Sequence, residues 1–340
     1  MIHLAFLIAS LGLIVVGQPL ALALVSRLTS TLVRRCLLLL CLVLPLSVLT
    51  VFTLTMLPTV AAHTGDIHHR MDAAAHRDWL VSVGGLGVLV MPVFVSLGFN
   101  LGRVALLYFR TARHSWTAPG DMAGLLNSGK GSPEIRIWLD PAPFAFNLPG
   151  LWPLGKSWIV LSTGLLDTLS RDELQAVLWH EMAHLEQHDF ETRWLALWWS
   201  SSFFYLPAGR STLERFKQEQ EIACDARVAR TGGIALTVSL AEALLKIWEI
   251  LISQVGSRER PDPFDLQIPN LAAPGELNLT EKRIRLLLEY GESGGVAAEH
   301  STRLIAGVYL VTGFSLWLVI LILVHLAMIP LGCTTSLNFV

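Results

Sequence analysis

Charge is scarce in this chain. Only 15% of its 340 residues are Asp, Glu, Lys or Arg, while 53% are hydrophobic. The formal net charge of -2 gives no basic footprint for a nucleic-acid partner. Mean hydropathy is +0.54, too apolar for an ordinary soluble domain and suited to membrane spans. Cysteine is nearly missing as well. Its four copies, at 36, 41, 224 and 333, form no CxxC pair. Neither a disulfide framework nor a cysteine-based zinc site is signalled. No basic residue precedes Arg27, which argues against a cleaved leader with a basic start.

What is present is a set of long apolar runs. Four of them reach the ~20 residues that a bilayer requires. They lie at roughly 2–25, 37–60, 79–102 and 304–331. Arg27, Arg34 and Arg35 follow the first, and Arg103, Arg110 and Arg113 follow the third. Basic loops stay in the cytoplasm. The expected arrangement is therefore three spans in 1–102, a cytoplasmic segment 103–303, and a fourth span with a short tail in 304–340. Both termini would then be outside. The stretch 194–206 (WLALWWSSSFFYL) is too short to span, and its aromatic content suits a membrane interface or a re-entrant position.

Within 103–303 the pattern becomes α+β. A Gly-rich linker occupies about 118–133. EIRIWLD (134–140) and SWIVLS (157–162) read as strands. PAPFAFNLPG (141–150) is extended and bounded by prolines, which suits an edge strand. Ser170 and Glu173 form a capping-box pattern for the next helix, and Leu174, Val177, Leu178, Met182 and Leu185 recur along it at helical spacing. A second helix is expected from about 212 to Gly232-Gly233, an amphipathic third over 234–255, and a short last helix over 280–290.

The first of these helices holds LWHEMAHLEQHDFE (178–191). His180 and His184, four apart, share a helix face, and Glu181 stands beside them. This HExxH pattern serves zinc binding by the two histidines, with the glutamate as general base. A zinc site takes a third protein ligand and keeps a fourth position for water. His188 continues the four-residue ladder, but two turns of helix place it too far from the ion held by His180. The better candidate is Glu221 in KQEQEIACDARVAR, with Glu219 as the fallback. Glu221 and Asp225 are again four apart, and Asp225 could fix the ring of a ligating histidine. A solvated acidic face is the plainer reading of these acids. Cys224 is expected to face away from their edge as a small buried residue. Candidates for oxyanion or substrate contact are His188, Arg227, Asn147 and Arg283. The strand around 143–147 could hold an extended peptide by backbone pairing.

Three spans, LSRDELQAVLWHEMAHLEQHD, EIACDA and then a fourth span resemble the BlaR/MecR-type integral-membrane metallopeptidases. These are gluzincins, related to the CaaX-processing and HtpX-type membrane proteases. The likeness covers roughly 134–290 and includes EKRIRLLL. It implies an α-helical membrane protein with four transmembrane helices and a cytoplasmic α+β gluzincin-type protease domain. It implies one Zn2+ per chain on His180, His184 and Glu221, with Glu181 as catalytic base and Asp225 behind the ligands. The implied substrate is a cytosolic or membrane-proximal protein, with a transcriptional repressor as the family analogy. Quality control of membrane proteins is the alternative, and a non-catalytic receptor the alternative outside enzymes. The lipid bilayer is an expected partner. Oligomeric state is not encoded legibly. About nine residues follow the fourth span, so no extracellular penicillin-binding sensor is expected there.

Overall fold

A computed structural model describes residues 23, 33–41, 73–126, 132–150, 155–254 and 274–292. The expected spans at 2–25 and 304–331 lie outside these residues, apart from residue 23. Of the span at 37–60 only 37–41 are described, and they are helical. The span expected at 79–102 falls inside a longer helix, α1 (Ala73–His114), which continues through Pro92. Its Met91–His114 stretch is long and apolar enough to cross a membrane by length and composition, the one such helix among the described residues. The expected break at 102 does not occur. Arg103, Arg110 and Arg113 are helical, because the leucine-rich sequence after Gly102 carries no stop signal before His114.

The described residues divide into two compact units. One gathers those up to Phe99 together with Leu195–Phe216; the other gathers Asn100–Trp194 and those from Lys217 on. In the first unit, Met91, Phe94 and Val95 of α1 are exposed, as lipid-facing side chains would be. Trp198 donates through Nε1 to the Val93 carbonyl at 3.1 Å, and the Ser96 and Ser202 hydroxyls bond at 2.7 Å. The 194–206 stretch belongs to a helix packed on α1, and only its end presents exposed Phe204 and Tyr205.

The second unit is built on a four-stranded sheet, of order β1-β2-β4-β3. These are β1 (Ser115–Thr117), β2 (Glu134–Trp138), β3 (Ala145–Leu148) and β4 (Trp158–Ser162). β2 and β4 pair parallel, and the two outer strands pair antiparallel. β1 lies just ahead of the expected linker, and that linker itself begins with a short helix, α2 (Gly120–Ala123). β3 is an edge strand, as its flanking prolines require. The short helix α3 (Thr163–Thr168) leads into α4 (Arg171–Glu186). The capping box forms: Glu173 N–H donates to Ser170 Oγ, and the Ser170 N–H donates to Glu173 Oε2 at 2.7 Å. Lys246 then pairs with the buried Glu173 carboxylate at 2.6 Å.

α5 (Asp189–Ser202) and α6 (Pro207–Gln254) follow. α6 begins earlier than expected, with Pro207 at its start, where a missing N–H costs nothing. It breaks at Gly233, whose φ of 68° and ψ of -169° only glycine adopts freely. The two expected helices on either side are therefore both present. The last helix, α7 (Pro274–Glu292), is longer than its apolar pattern suggested. Ile159, Leu161, Leu165, Leu174, Leu178, Val228, Leu240 and Leu287 form the core that fixes α4, α6 and α7 against the sheet.

Candidate metal centre

Three elements meet at the site. α4 supplies His180, Glu181 and His184, α6 supplies Glu221, Cys224 and Asp225, and α7 supplies Arg283. All seven are buried. Leu174 and Leu178 anchor α4 in the core, so the adjoining face turns its histidines into a cavity beside β3.

The two Nε2 atoms of His180 and His184 stand 3.1 Å apart. Glu221 Oε2 is 3.4 Å from His180 Nε2, and Glu221 Oε1 is 3.6 Å from His184 Nε2. Zinc bonds to nitrogen and oxygen are about 2.0–2.2 Å and near-tetrahedral, which sets donors about 3.3–3.5 Å apart. The three separations lie close to that value. The outer ring nitrogens are turned to acids. His180 Nδ1 is 3.0 Å from Asp225 Oδ1, and His184 Nδ1 is 2.8 Å from Asp189 Oδ2. An Nδ1–H turned to a carboxylate favours Nε2 as the ligating atom once the ring is neutral. Two ring nitrogens and a carboxylate thus converge on one point, a donor set that suits a cation.

A second group, His184 Nδ1, Asp189 Oδ2 and Cys224 Sγ, also brings three donors together. Its separations are 2.8, 3.2 and 3.3 Å. Zinc–sulfur bonds are about 2.3 Å, so sulfur and nitrogen on one ion stand about 3.5 Å apart. The second group is tighter than that and reads as hydrogen bonds.

Charge agrees with the donors. Glu181, Asp189, Glu221 and Asp225 face Arg193 and Arg283. Four carboxylates against two guanidiniums leave two negative charges, which a divalent ion would neutralise. Arg283 holds Asp225 by two bonds, Nε to Oδ2 at 2.7 Å and Nη2 to Oδ1 at 2.9 Å, and its Nη1 lies 3.1 Å from Glu221 Oε2. Burial opposes ionisation of Glu221 and Asp225. The charges of His184 and Arg283 at Glu221, and of Arg283 at Asp225, outweigh it and hold both below the usual carboxylate range. Burial also opposes a charge on His180 and His184, yet the groups around them win and raise both. Burial pushes the Cys224 thiol up to about 12.

Glu181 points into the cavity and accepts from Asn147 Nδ2 at 2.7 Å. Asn147 belongs to β3, the edge strand of the sheet among the described residues, so one sheet edge carries the polar hook for Glu181 beside the cavity. The walls are apolar, from Val177, Leu165, Leu240, Leu244 and Ile247.

Two expected contacts are not there. His188 is exposed (side chain 77%), pairs with Glu191, and has a positive φ of 54°. α4 has already ended at Glu186, and His188 is its left-handed terminating residue. Arg227 pairs with Glu186, half-exposed and off the cavity lining. Of the four contact candidates, Asn147 and Arg283 line the cavity. Cys224 was expected to face away from the acidic edge; instead its sulfur touches the outer side of His184. Sequence reasoning also missed Asp189. It lies five residues after His184, off the helical face, and only the turn at His188 brings it back.

Residues 130–256 match the family model for the BlaR1 peptidase M56. The chain is similar to a Protease HtpX homolog of Neisseria meningitidis serogroup C, 39% identical over 109 residues, which is 32% of this chain and 38% of that protein. A Protease HtpX homolog of Chlorobium phaeobacteroides is 34% identical over 132 residues, 34% of this chain and 43% of that protein. Protease HtpX of Nitrosococcus oceani is 35% identical over 65 residues, 19% of this chain and 21% of that protein. The chain therefore spans less than half the length of the relatives it matches. The matched segment contains His180, Glu181, His184 and Glu221, and on that footing the chain is similar to membrane metallopeptidases of the BlaR1/HtpX type.

Proposed function

We propose that the chain is a membrane-bound zinc endopeptidase. The observation that carries this reading is the convergence of His180 Nε2, His184 Nε2 and the Glu221 carboxylate at ligand spacing, with Glu181 one residue from the first histidine. His180, His184 and Glu221 would hold the ion. Zinc in such a site lowers the pKa of a bound water to about 7 and polarises a carbonyl.

The remaining work falls to the chain's own groups. Glu181 accepts the proton of the attacking water and passes it to the leaving amine. Asn147 steers the Glu181 carboxylate by holding Oε2, leaving Oε1 for the water. β3, at the edge of the sheet, aligns an extended peptide by strand addition. Arg283 keeps Asp225 and Glu221 charged and in place, and Asp225 and Asp189 keep the two rings turned so that Nε2 faces inward. The aliphatic walls exclude competing water and favour an apolar residue next to the bond that breaks.

The substrate class is a cytosolic or membrane-proximal protein. Repressor cleavage in signalling is the reading favoured by resemblance to BlaR/MecR-type proteins. Clearance of damaged membrane proteins differs in substrate and not in chemistry. The protease segment would be cytoplasmic and both termini outside. Purified chain in detergent should contain about one zinc per chain and cleave casein. A chelator and Glu181→Gln should each abolish cleavage, and Glu181→Gln should retain its zinc. A chain that binds zinc yet cleaves nothing, with no protein fragments lost from cells carrying Glu181→Gln, would favour a receptor.

A further inference from the structure

Behind the inner ligands lies a second layer whose hub is Gln220. This residue is fully buried (0% exposed) and directly precedes Glu221 on α6. Both ends of its amide are used. Nε2 donates to Asp189 Oδ1 at 3.0 Å, to the Asp189 carbonyl at 3.2 Å and to Thr192 Oγ1 at 3.0 Å. Oε1 accepts from Arg193 Nε at 3.0 Å. The other terminal group of the same guanidinium, Nη2, is 3.0 Å from Glu221 Oε1.

Asp189 needs such a clamp. It starts α5 directly after the left-handed His188, where the ladder of α4 has ended. It lies beyond the end of α4 at Glu186, yet its Oδ2 must meet His184 Nδ1 at 2.8 Å. Gln220 grips both its side chain and its carbonyl, and so ties the α4–α5 joint to the helix that carries Glu221.

We propose that Gln220 is a positioning residue of the metal centre: through Asp189 it sets the ring of His184, and through Arg193 it steadies Glu221. It touches neither the ion nor the substrate. The inference rests on the zinc reading above. Its rival is a buried amide that supports the fold and nothing else.

A double-mutant cycle on the full-length chain separates the two, with zinc affinity as the readout and competition against a chelating dye as the method. Gln220→Leu should weaken zinc about 10–100-fold, the usual effect of losing an outer partner. In an Asp189→Ala background the same substitution should cost clearly less than in the wild type, because its route to His184 is already cut and only the route through Arg193 to Glu221 remains. Gln220→Glu keeps the acceptor for Arg193 but sets a carboxylate against Asp189. It should weaken zinc beside Asp189 and recover most of that loss when Asp189 is alanine. Leu161→Ala, a core lesion in β4 away from the ligands, should lower stability while leaving zinc affinity at 10 °C within about threefold. Equal losses from Gln220→Leu with and without Asp189, no loss at all, or a loss matched by Leu161→Ala would overturn the proposal. Failure of the wild type to bind zinc would instead overturn the zinc reading, so the two failures are distinguishable.

Discussion

His180 and His184 stand one turn apart on one helix face, yet their outer sides are held by opposite means. His180 leans on Asp225, whose charge is matched by a bidentate Arg283. His184 leans on Asp189, whose neighbours Cys224 and Gln220 bear no charge. The first support is an ion pair brought from two distant helices. The second is a hydrogen-bonded network at a chain turn. Buried ion pairs are brittle, because removing one partner strands the other. A carboxylate held by several hydrogen bonds keeps the others when one partner is removed, so a single loss there costs less.

Breaking the charged side should therefore do the most damage. Arg283→Met leaves Asp225 without its guanidinium and Glu221 with Arg193 alone, and should cost about 3–5 kcal/mol of stability. Thermal unfolding in detergent should show it, with zinc binding lost as well. A fall below ~1 kcal/mol would mean that the ion pair does not hold His180.

Next in size are the acids behind the rings. Asp225→Asn and Asp189→Asn should each weaken zinc about 10–100-fold. Asp225→Asn should be the worse, since it also removes the bidentate ion pair of Arg283 and leaves that cation only Glu221. The reverse order, measured by chelator competition, would undo the contrast between the two supports.

Acid should sharpen it further. Both rings are raised in the metal-free chain, His184 most strongly. A raised histidine stabilises the metal-free fold below its unfolded pKa of about 6.5, and that gain is lost as pH rises through the folded value. Zinc must displace those protons, so its affinity should rise with pH through the folded pKa values, and binding near neutral pH should release protons. Calorimetry in two buffers of different ionisation heat would count them. No proton release, and an affinity flat between pH 6 and 8, would show that the rings are already neutral.

The smallest effects are expected at Cys224 and His188. The Cys224 thiol, pushed up to about 12, stays protonated at neutral pH. Cys224→Ser should leave zinc stoichiometry at one and cost about 1 kcal/mol or less in stability. Loss of the metal in that variant would make sulfur a ligand. His188→Gly relieves a left-handed backbone and should stabilise the chain by about 0.5–1 kcal/mol without slowing casein cleavage. A large drop in cleavage would restore His188 to the site.

Much of the site could be read locally. His180, Glu181 and His184 follow from one helix and its four-residue repeat, and the capping box announced where that helix begins. Glu221 could be proposed because it and Asp225 repeat the same spacing on another predicted helix. Asn147 could be proposed because prolines mark its strand as an edge. The misreadings share one cause. His188 was a contact candidate, and the end of α4 at Glu186 turns it out to solvent instead. Cys224 was given a direction from its helix alone, although the partner elements decide what a buried face meets.

The sequence by itself thus determined the periodic features: the apolar runs, the strands, the helix that bears HExxH, and the inner donors with their fixed offsets. Those depend on interactions a few residues apart. Tertiary structure decided the rest. It ended α4 at Glu186, curled Asp189 back onto His184, brought Arg283 across from α7 to Asp225, and set Gln220 behind the joint. Gln220–Asp189 and Arg283–Asp225 join residues 31 and 58 positions apart, and Asp189–His184 depends on a single left-handed turn. No local spacing encodes such contacts; they exist because the core of sheet, α4, α6 and α7 packs in one way.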